Sequence, residues 1–387
     1  MVTPFNQNDK YTVDKSIQRN LRIGILDEDD AEILRNYIHY RSVTQALTQG
    51  RQTKLVSMIC GLQKLDPVCH IRQLNIENIY GKIQTLHASD YSQNSKHDFI
   101  IIGKGFWKYL SENKIIDIDV NKLKAIKSIP INHDTTSPNE ILTEEEVMSL
   151  INHGGTARNR ALIAVLYESA CRISELASIR WKDLIFDEHG VKLYIHDHKT
   201  KKTRYCRLII SEPHLIEWRN NYEKWGSATG DNLVFVNRYR LPIKYAGYVT
   251  LLKRIAADAK LKKKIHLHLM RKSRITHMVK NNYQESIIKQ IAWGNLNTSM
   301  MQTYVRLSEN DIDSELLDHM GVVNKAEEDN VLKPVRCIRC GAVIAPDQKY
   351  CGKCGLSRDT DMIDAAMSVD QELVTKILEI LRNQNKG

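Results

Sequence analysis

Between about residues 141 and 321, apolar residues recur at intervals of three and four in one segment after another. TARNRALIAVLYESAC, ISELASIRW, PHLIEWRNNYEKW, YAGYVTLLKRIAADAK, LMRKSRITHMVKN and QESIIKQIAWG all carry this spacing, which lines apolar side chains along one helical face. In one place the rhythm changes: VKLYIHDH and TRYCRLII read as strands joined by the tight basic turn KTKK. A chain patterned in this way is confined to an α-rich domain with a small antiparallel sheet. The domain has a clear start, because Thr143 and Glu146 in ILTEEEVMSL fit a capping box. In that box the threonine accepts from the helix N-terminus and the glutamate reaches back to the cap.

Upstream, residues about 11–128 read as mostly helical, with short polar breaks, as in a small helical bundle. SIPINHDTTSPNE, at 128–140, carries two prolines and several turn formers and reads as a linker. Downstream lie a cysteine-containing unit at 334–357 and a polar tail at 358–387 with an amphipathic helical pattern in SVDQELVTKILEILRNQ. The expected fold is mainly α: a helical N-terminal domain at 11–128, an α-rich domain at 141–321 and the small C-terminal unit. A length of 387 residues suits two or three domains.

The net charge of +10 favours a polyanionic partner, most simply nucleic acid. Lysines and arginines on the polar faces of the upstream helices read equally as solvated surface and as DNA-backbone contacts. The N-terminal stretch is too polar for a signal peptide, and no apolar run reaches the roughly 20 residues of a membrane span. The expectation is a soluble cytoplasmic, nucleoid-associated protein with no membrane partner.

Six residues in the second half carry the chemistry: Arg172, Lys199, His268, Arg271, Asn295 and Tyr304. Arg172 falls at the end of an apolar helix, and its guanidinium presents a flat fork of donors suited to two phosphate oxygens. Glu175, three residues on, is placed to orient it; alone, the two are an ordinary surface ion pair. Lys199 lies in the strand–turn–strand, with Lys201 and Lys202 as competitors. An ammonium there suits protonation of a departing hydroxyl when nearby cations lower its pKa. His268 and Arg271, three apart, share a helical face, while His266 lies on another and lacks such an arginine. Tyr304 is one of 16 tyrosines and would read alone as a core residue. Its phenol has a reference pKa of about 10, so as a nucleophile it needs cations to favour the phenolate. Together these groups make a phosphoryl-transfer site in which fixed cations stand where most such enzymes place magnesium. A 3′-phosphotyrosine link would conserve the bond energy for rejoining.

This ordered set resembles the tyrosine recombinases, the phage-integrase and Xer-type family, and is most similar to integrases of archaeal mobile elements. ACRISELASIRWKDL resembles the family's first-arginine box, HKTKKTR its lysine hairpin, HLMR its His-x-x-Arg box and WGNLNTSMMQTYVRL its final segment. The resemblance spans roughly 140–321 and implies Lys199 as the general acid and Tyr304 as the nucleophile. It also implies that the helical N-terminal part is a core-binding clamp on double-stranded DNA. Four protomers would exchange strands, with DIDSELLDHMG as the helix traded between neighbours. Accessory DNA-bending or directionality proteins are further expected partners. Two departures stand out. The family places His or Trp nine residues before the tyrosine, where this chain has Asn295, with Trp293 two residues earlier. Lys272 replaces the histidine that often follows the second arginine.

Cys337-x2-Cys340 and Cys351-x2-Cys354, each followed by glycine, suit a tetrahedral structural Zn²⁺ in a zinc ribbon. Four thiolates leave no open position, so this metal would not be catalytic, and no cofactor is expected for catalysis. The other four cysteines, Cys60, Cys69, Cys171 and Cys206, are dispersed and read as reduced thiols. The expected function is integration or excision of a mobile element by a site-specific recombinase. Two alternatives share many of these features: a type IB-like topoisomerase, and a catalytically impaired DNA-binding regulator.

Overall fold

The computed structural model describes residues 12–66, 69–132, 138–197, 202–224, 226–303, 316–317, 320–322, 332–344, 346, 348–351 and 354–358. Lys199, Lys201 and Tyr304 lie outside the described residues, as does the tail pattern at 368–384. The chain divides into two compact units, one within Gln7–Thr135 and one that begins at Thr136.

The first unit is a helical bundle of α1 (Val13–Arg22), α2 (Glu28–Gln45), α3 (Gln49–Gln63), α4 (Ile76–Ala88), α5 (Gln93–Glu112) and α6 (Val120–Ala125). Asp27, Asn75, Ser92 and Asp119 cap α2, α4, α5 and α6, each accepting from a backbone N–H of the first turn. Ile17, Leu34, Tyr37, Leu55, Ile59, Phe106 and Trp107 form its buried centre. Each such side chain contributes about 1.5–3 kcal/mol of burial. Two glycines let α3 and α5 approach closely. A Cβ on Gly61 would meet Phe99 Cε1 at 2.7 Å, and one on Gly103 would meet Leu62 Cδ1 at 2.8 Å.

The second unit opens with α7 (Glu144–Asn152) and α8 (Ala157–Glu168). The Thr143–Glu146 capping box forms as the spacing predicts: the Thr143 hydroxyl accepts from Glu146 N–H at 3.2 Å, and the Glu146 carboxylate accepts from Thr143 N–H at 2.8 Å. Helix α8 is buried along most of its length and forms the centre of the unit. ISELASIRW, read as a helix, departs from expectation. It makes only the short α9 (Ile173–Leu176), then a turn, a short run at Ile179–Arg180 and a 3₁₀ turn at Trp181–Asp183. The run is captured by a distant segment: Trp181 N–H donates to the Asn232 carbonyl at 3.0 Å and Val234 N–H to Ile179 at 2.9 Å. Tertiary pairing outweighs the local helical preference.

The sheet has three antiparallel strands, β1 (Leu184–Asp187), β2 (Gly190–His196) and β3 (Thr203–Leu208), in the order β1-β2-β3. The hairpin expected between β2 and β3 forms, with Tyr194 opposite Tyr205 and His196 opposite Thr203. β1 is an addition, too short for alternation to reveal. Asp197 N–H donates to the Lys202 carbonyl at 2.9 Å and closes the hairpin base. Glu168, at the end of α8, fixes the exit from β3. Its buried carboxylate accepts from the N–H groups of Ile209, Ile210 and Ser211 and from the Ser211 hydroxyl, at 2.7–2.9 Å. Helices α10 (Glu212–Glu223), α11 (Tyr245–Asp258), α12 (Leu267–Lys280) and α13 (Glu285–Trp293) complete the unit. The described residues are thus mainly helical with one small antiparallel sheet, as expected. A further two-stranded pair, β4 (Val335–Arg336) with β5 (Val343–Ile344), belongs to the cysteine unit.

His277, on α12, is packed inside this unit with Nδ1 2.7 Å from the Tyr167 hydroxyl. Burial lowers its pKa from 6.5 to about 4. Between those values the unfolded chain binds a proton that the folded chain does not, so stability rises with pH and is lost as pH falls through the window. The expected loss is about 3 kcal/mol on acidification from pH 7 to below 4. Unfolding midpoints across that range should fall less steeply for His277→Gln than for the wild type.

Candidate active site

The site begins where α8 ends. Ala170 takes a left-handed conformation with φ of 48°, uncommon for a residue with a side chain, and turns the chain so that Arg172 becomes the N-cap of α9. Arg172 N–H donates to Glu175 Oε2 at 2.6 Å, and its guanidinium donates to Oε1 at 3.1 Å. A second carboxylate, Asp197 at the hairpin base, stands 3.7 Å from the same guanidinium nitrogen. The Arg172 side chain keeps 39% of its surface exposed. It is therefore oriented by acids yet open to a ligand.

Glu175 is itself held by a residue that sequence reasoning missed. Arg204, on β3, donates to both carboxylate oxygens at 2.8 and 2.7 Å, and both side chains are almost fully buried. Burial disfavours the Glu175 carboxylate, but the Arg204 bonds outweigh it and hold the carboxyl below its usual range. The signal lies in the alternation of β3, which turns Arg204, Cys206 and Leu208 inward. An arginine in an inward strand slot calls for a buried partner.

His268 and Arg271 lie in the first turns of α12. His266, which the spacing puts off their face, serves the helix instead, where its Nδ1 caps the N-terminus by accepting from Leu269 N–H at 3.1 Å. His268 keeps exposed surface, yet crowding by protein atoms lowers its pKa to about 4, and Arg271, Lys272, His266 and Arg172 repel the charged form further. It is therefore neutral at physiological pH. Arg271 is buried and donates to the carbonyls of Ala170 and Ala292, the latter at 2.9 Å. Its guanidinium also stands 5.4 Å from the Trp293 ring centroid. Asn295 is exposed, and its Oδ1 accepts from Asn297 N–H at 3.1 Å. Met301 is buried in a small cluster with Ala170, Met278, Ile288 and Ala292. The chain three residues before Tyr304 is thus seated beside the backbone that holds Arg271.

Arg172, Glu175, His268, Arg271, Lys272 and Trp293 are thus linked by contact or by charge, whereas Asn295 lies at the surface and Lys199 and Tyr304 fall outside the described residues. Residues 140–311 match the family model described as the phage integrase family. The chain carries a phage integrase family domain. The matched segment includes all six residues of the ordered set. Tyrosine recombinase XerD of Halalkalibacterium halodurans is 23% identical to this chain over 288 residues, covering 70% of this chain and 92% of that protein. Tyrosine recombinase XerC of Pediococcus pentosaceus is 24% identical over 211 residues, covering 52% and 68%. The integrase-domain chain also resembles, in fold, a lambda integrase dimer bound to a COC′ core site, with a TM-score of 0.56 at 14% identity, covering 72% of this chain and 96% of that one. XerH recombinase bound to palindromic difH substrate in a post-cleavage complex gives 0.53 at 16%, covering 81% and 98%.

The cysteine unit is built from two like turns. Gly341 N–H donates to the Cys337 carbonyl and Gly355 N–H to that of Cys351, each at 2.9 Å, and both glycines have positive φ. Sγ atoms of Cys337 and Cys354, and of Cys340 and Cys351, lie 3.5 Å apart, and all four sulfurs fall within 4.8 Å of one another. A tetrahedron of sulfurs at the usual Zn–S distance of about 2.3 Å has edges of roughly 3.8 Å, so the donor set fits that ion. Against desolvation, backbone N–H groups of Cys340 and Arg339 favour the Cys337 thiolate, while the crowded neighbouring thiols push Cys354 up, so the four sulfurs share their protons until a metal displaces them.

Proposed function

We infer that this chain is a site-specific DNA recombinase that cleaves and rejoins double-stranded DNA for integration or excision of a mobile element. The observation that carries this is a pair of guanidinium groups, each oriented by protein partners, with a histidine on the helix that bears the second. In the proposed reaction the Tyr304 oxygen bonds to phosphorus as the bond to the 5′-oxygen breaks. The products are a 3′-phosphotyrosine and a free 5′-hydroxyl. His268 accepts the phenolic proton, Lys199 protonates the departing oxygen, and Arg172 and Arg271 stabilise charge on the non-bridging oxygens. Attack by a 5′-hydroxyl of another strand reverses these steps and rejoins DNA. Trp293 packs on Arg271 whereas Asn295 is exposed, which favours Trp293 as the support for that arginine.

The α1–α6 unit serves as the second half of a clamp on DNA, and four protomers assemble on paired sites with accessory bending or directionality proteins. Cys337, Cys340, Cys351 and Cys354 hold a structural Zn²⁺ that folds the ribbon. Among the described residues no helix is long and apolar enough to cross a membrane. The protein acts in the cytoplasm at the nucleoid.

A supercoiled plasmid carrying two copies of the element's attachment site tests the function. Site-dependent recombinant circles are expected; relaxation without site dependence would instead indicate a topoisomerase. Binding to the same site should weaken by about 10³–10⁵ between 50 and 200 mM salt if the clamp neutralises about 6–10 phosphates. An affinity insensitive to salt would contradict the clamp.

A further inference from the structure

Arg204 touches three separate parts of the site. Its two terminal nitrogens hold Glu175, which in turn orients Arg172. Its Nε donates to the Ile291 carbonyl on α13 at 2.8 Å. Its stem fills the space beside Gly294, where a Cβ would meet Arg204 Cβ at 3.0 Å, and Gly294 is the left-handed residue that ends α13. Arg204 itself stands in β3, two residues after the hairpin-closing Lys202 and opposite Ile195 of β2. One buried side chain therefore joins the strand that leaves the Lys199 turn, the helix start that carries Arg172, and the helix end that leads through Trp293 and Asn295 towards Tyr304.

A buried arginine–glutamate pair is a costly way to fill a core, because desolvation of both charges offsets most of their attraction. An apolar pair would serve packing alone. What the ion pair adds is direction. Bidentate donation fixes the plane of the Glu175 carboxylate, and that carboxylate also receives the Arg172 backbone N–H and guanidinium.

We propose that Arg204 is a positioning residue of the recombination reaction, setting Arg172 through Glu175. The proposal rests on the recombinase reading. It concerns orientation, not contact with DNA, since Arg204 is only 3% exposed. Displacement of a reacting group by about 1 Å costs on the order of 100-fold in rate, and that is the loss expected for Arg204→Gln.

The test is single-turnover cleavage of a nicked attachment-site duplex at saturating full-length protein, with duplex affinity and unfolding midpoint measured beside it. Two substrates are used, one with the natural scissile phosphate and one with a neutral methylphosphonate there. Arg204→Gln should cleave the natural substrate about 100-fold more slowly than wild type, with nearly unchanged affinity. On the methylphosphonate, which has less charge for Arg172 to balance, the gap between variant and wild type should shrink at least to about a tenth of that. Arg204→Lys keeps the buried charge but loses the bidentate geometry. It should show the same pattern in milder form, and it carries the test if Arg204→Gln fails to fold. Wild-type rates in both variants, or an equal deficit on both substrates, would overturn the positioning role. Failure of the wild-type chain to cleave either substrate would instead overturn the recombinase reading, and the proposal with it.

Discussion

Arg172→Ala is expected to slow DNA cleavage by about 10²–10³-fold, the usual cost of removing one donor from a preorganised anionic transition state. Its unfolding midpoint should stay close to that of the wild type. The side chain is 39% exposed, and the buried Glu175 keeps both bonds from Arg204 when Arg172 is truncated. Arg271→Ala should behave differently, although it removes the same functional group. Cleavage should again be lost, but the buried carbonyls of Ala170 and Ala292 each lose a donor as well. An unsatisfied buried polar group costs about 1–3 kcal/mol, so a large drop in midpoint should accompany the loss of activity. Paired measurements of cleavage rate and thermal unfolding check the contrast. Equal destabilisation by the two variants would show that Arg172 carries structural weight that its exposure and partners do not suggest.

Metal removal is the second large effect. Apparent binding energies of structural zinc sites are about 10–16 kcal/mol, and that energy is the folding energy of such a unit. The cysteine unit has a small apolar interior, chiefly Ile344 with the cysteines themselves. Chelation, or Cys337→Ser with Cys354→Ser, should therefore unfold it. Its contact with the turn between β1 and β2 would go too: Arg336 donates to the Glu188 carbonyl at 3.1 Å and lies 3.2 Å from His189 Nδ1. The helical domain around α8 has its own large core and should survive. Limited proteolysis after chelation should cut within 332–358 while residues 140–303 stay protected, with about one zinc released per chain. Resistance of 332–358 to both protease and chelator would contradict the metal site.

Much of the architecture is legible in periodicity because burial acts on faces. The helices of the second unit follow apolar spacing, the β2–β3 hairpin follows alternation, and the start of α7 follows a cap whose two hydrogen bonds form as the residue types require. What periodicity does not supply is pairing between distant segments. The short run after α9 is held by residues 232–234, more than fifty positions away, so helical spacing is misleading there. Glu168 and Arg204 escape a sequence reading for a related reason: a charged residue in an apolar stretch has no visible partner until the chain is folded. His266 shows the converse, a residue whose local role as a cap is open to inspection but whose type is not among the usual cap formers. Around the candidate site, residue types and their order are legible. The second carboxylate at Asp197 and the carbonyl cradle of Arg271 emerge only from tertiary structure.

The most direct measurement is capture of the covalent intermediate. Purified full-length protein would be incubated with nicked duplexes drawn from the ends of its own genetic element, so that the strand fragment downstream of the break diffuses away, and the products run on a denaturing gel. The wild type should give a slow-migrating protein–DNA adduct with a 3′ linkage, and Tyr304→Phe should bind the same duplex yet give none. An adduct that persists in Tyr304→Phe, or tight binding by the wild type without any adduct on these duplexes, would contradict tyrosine-mediated recombination.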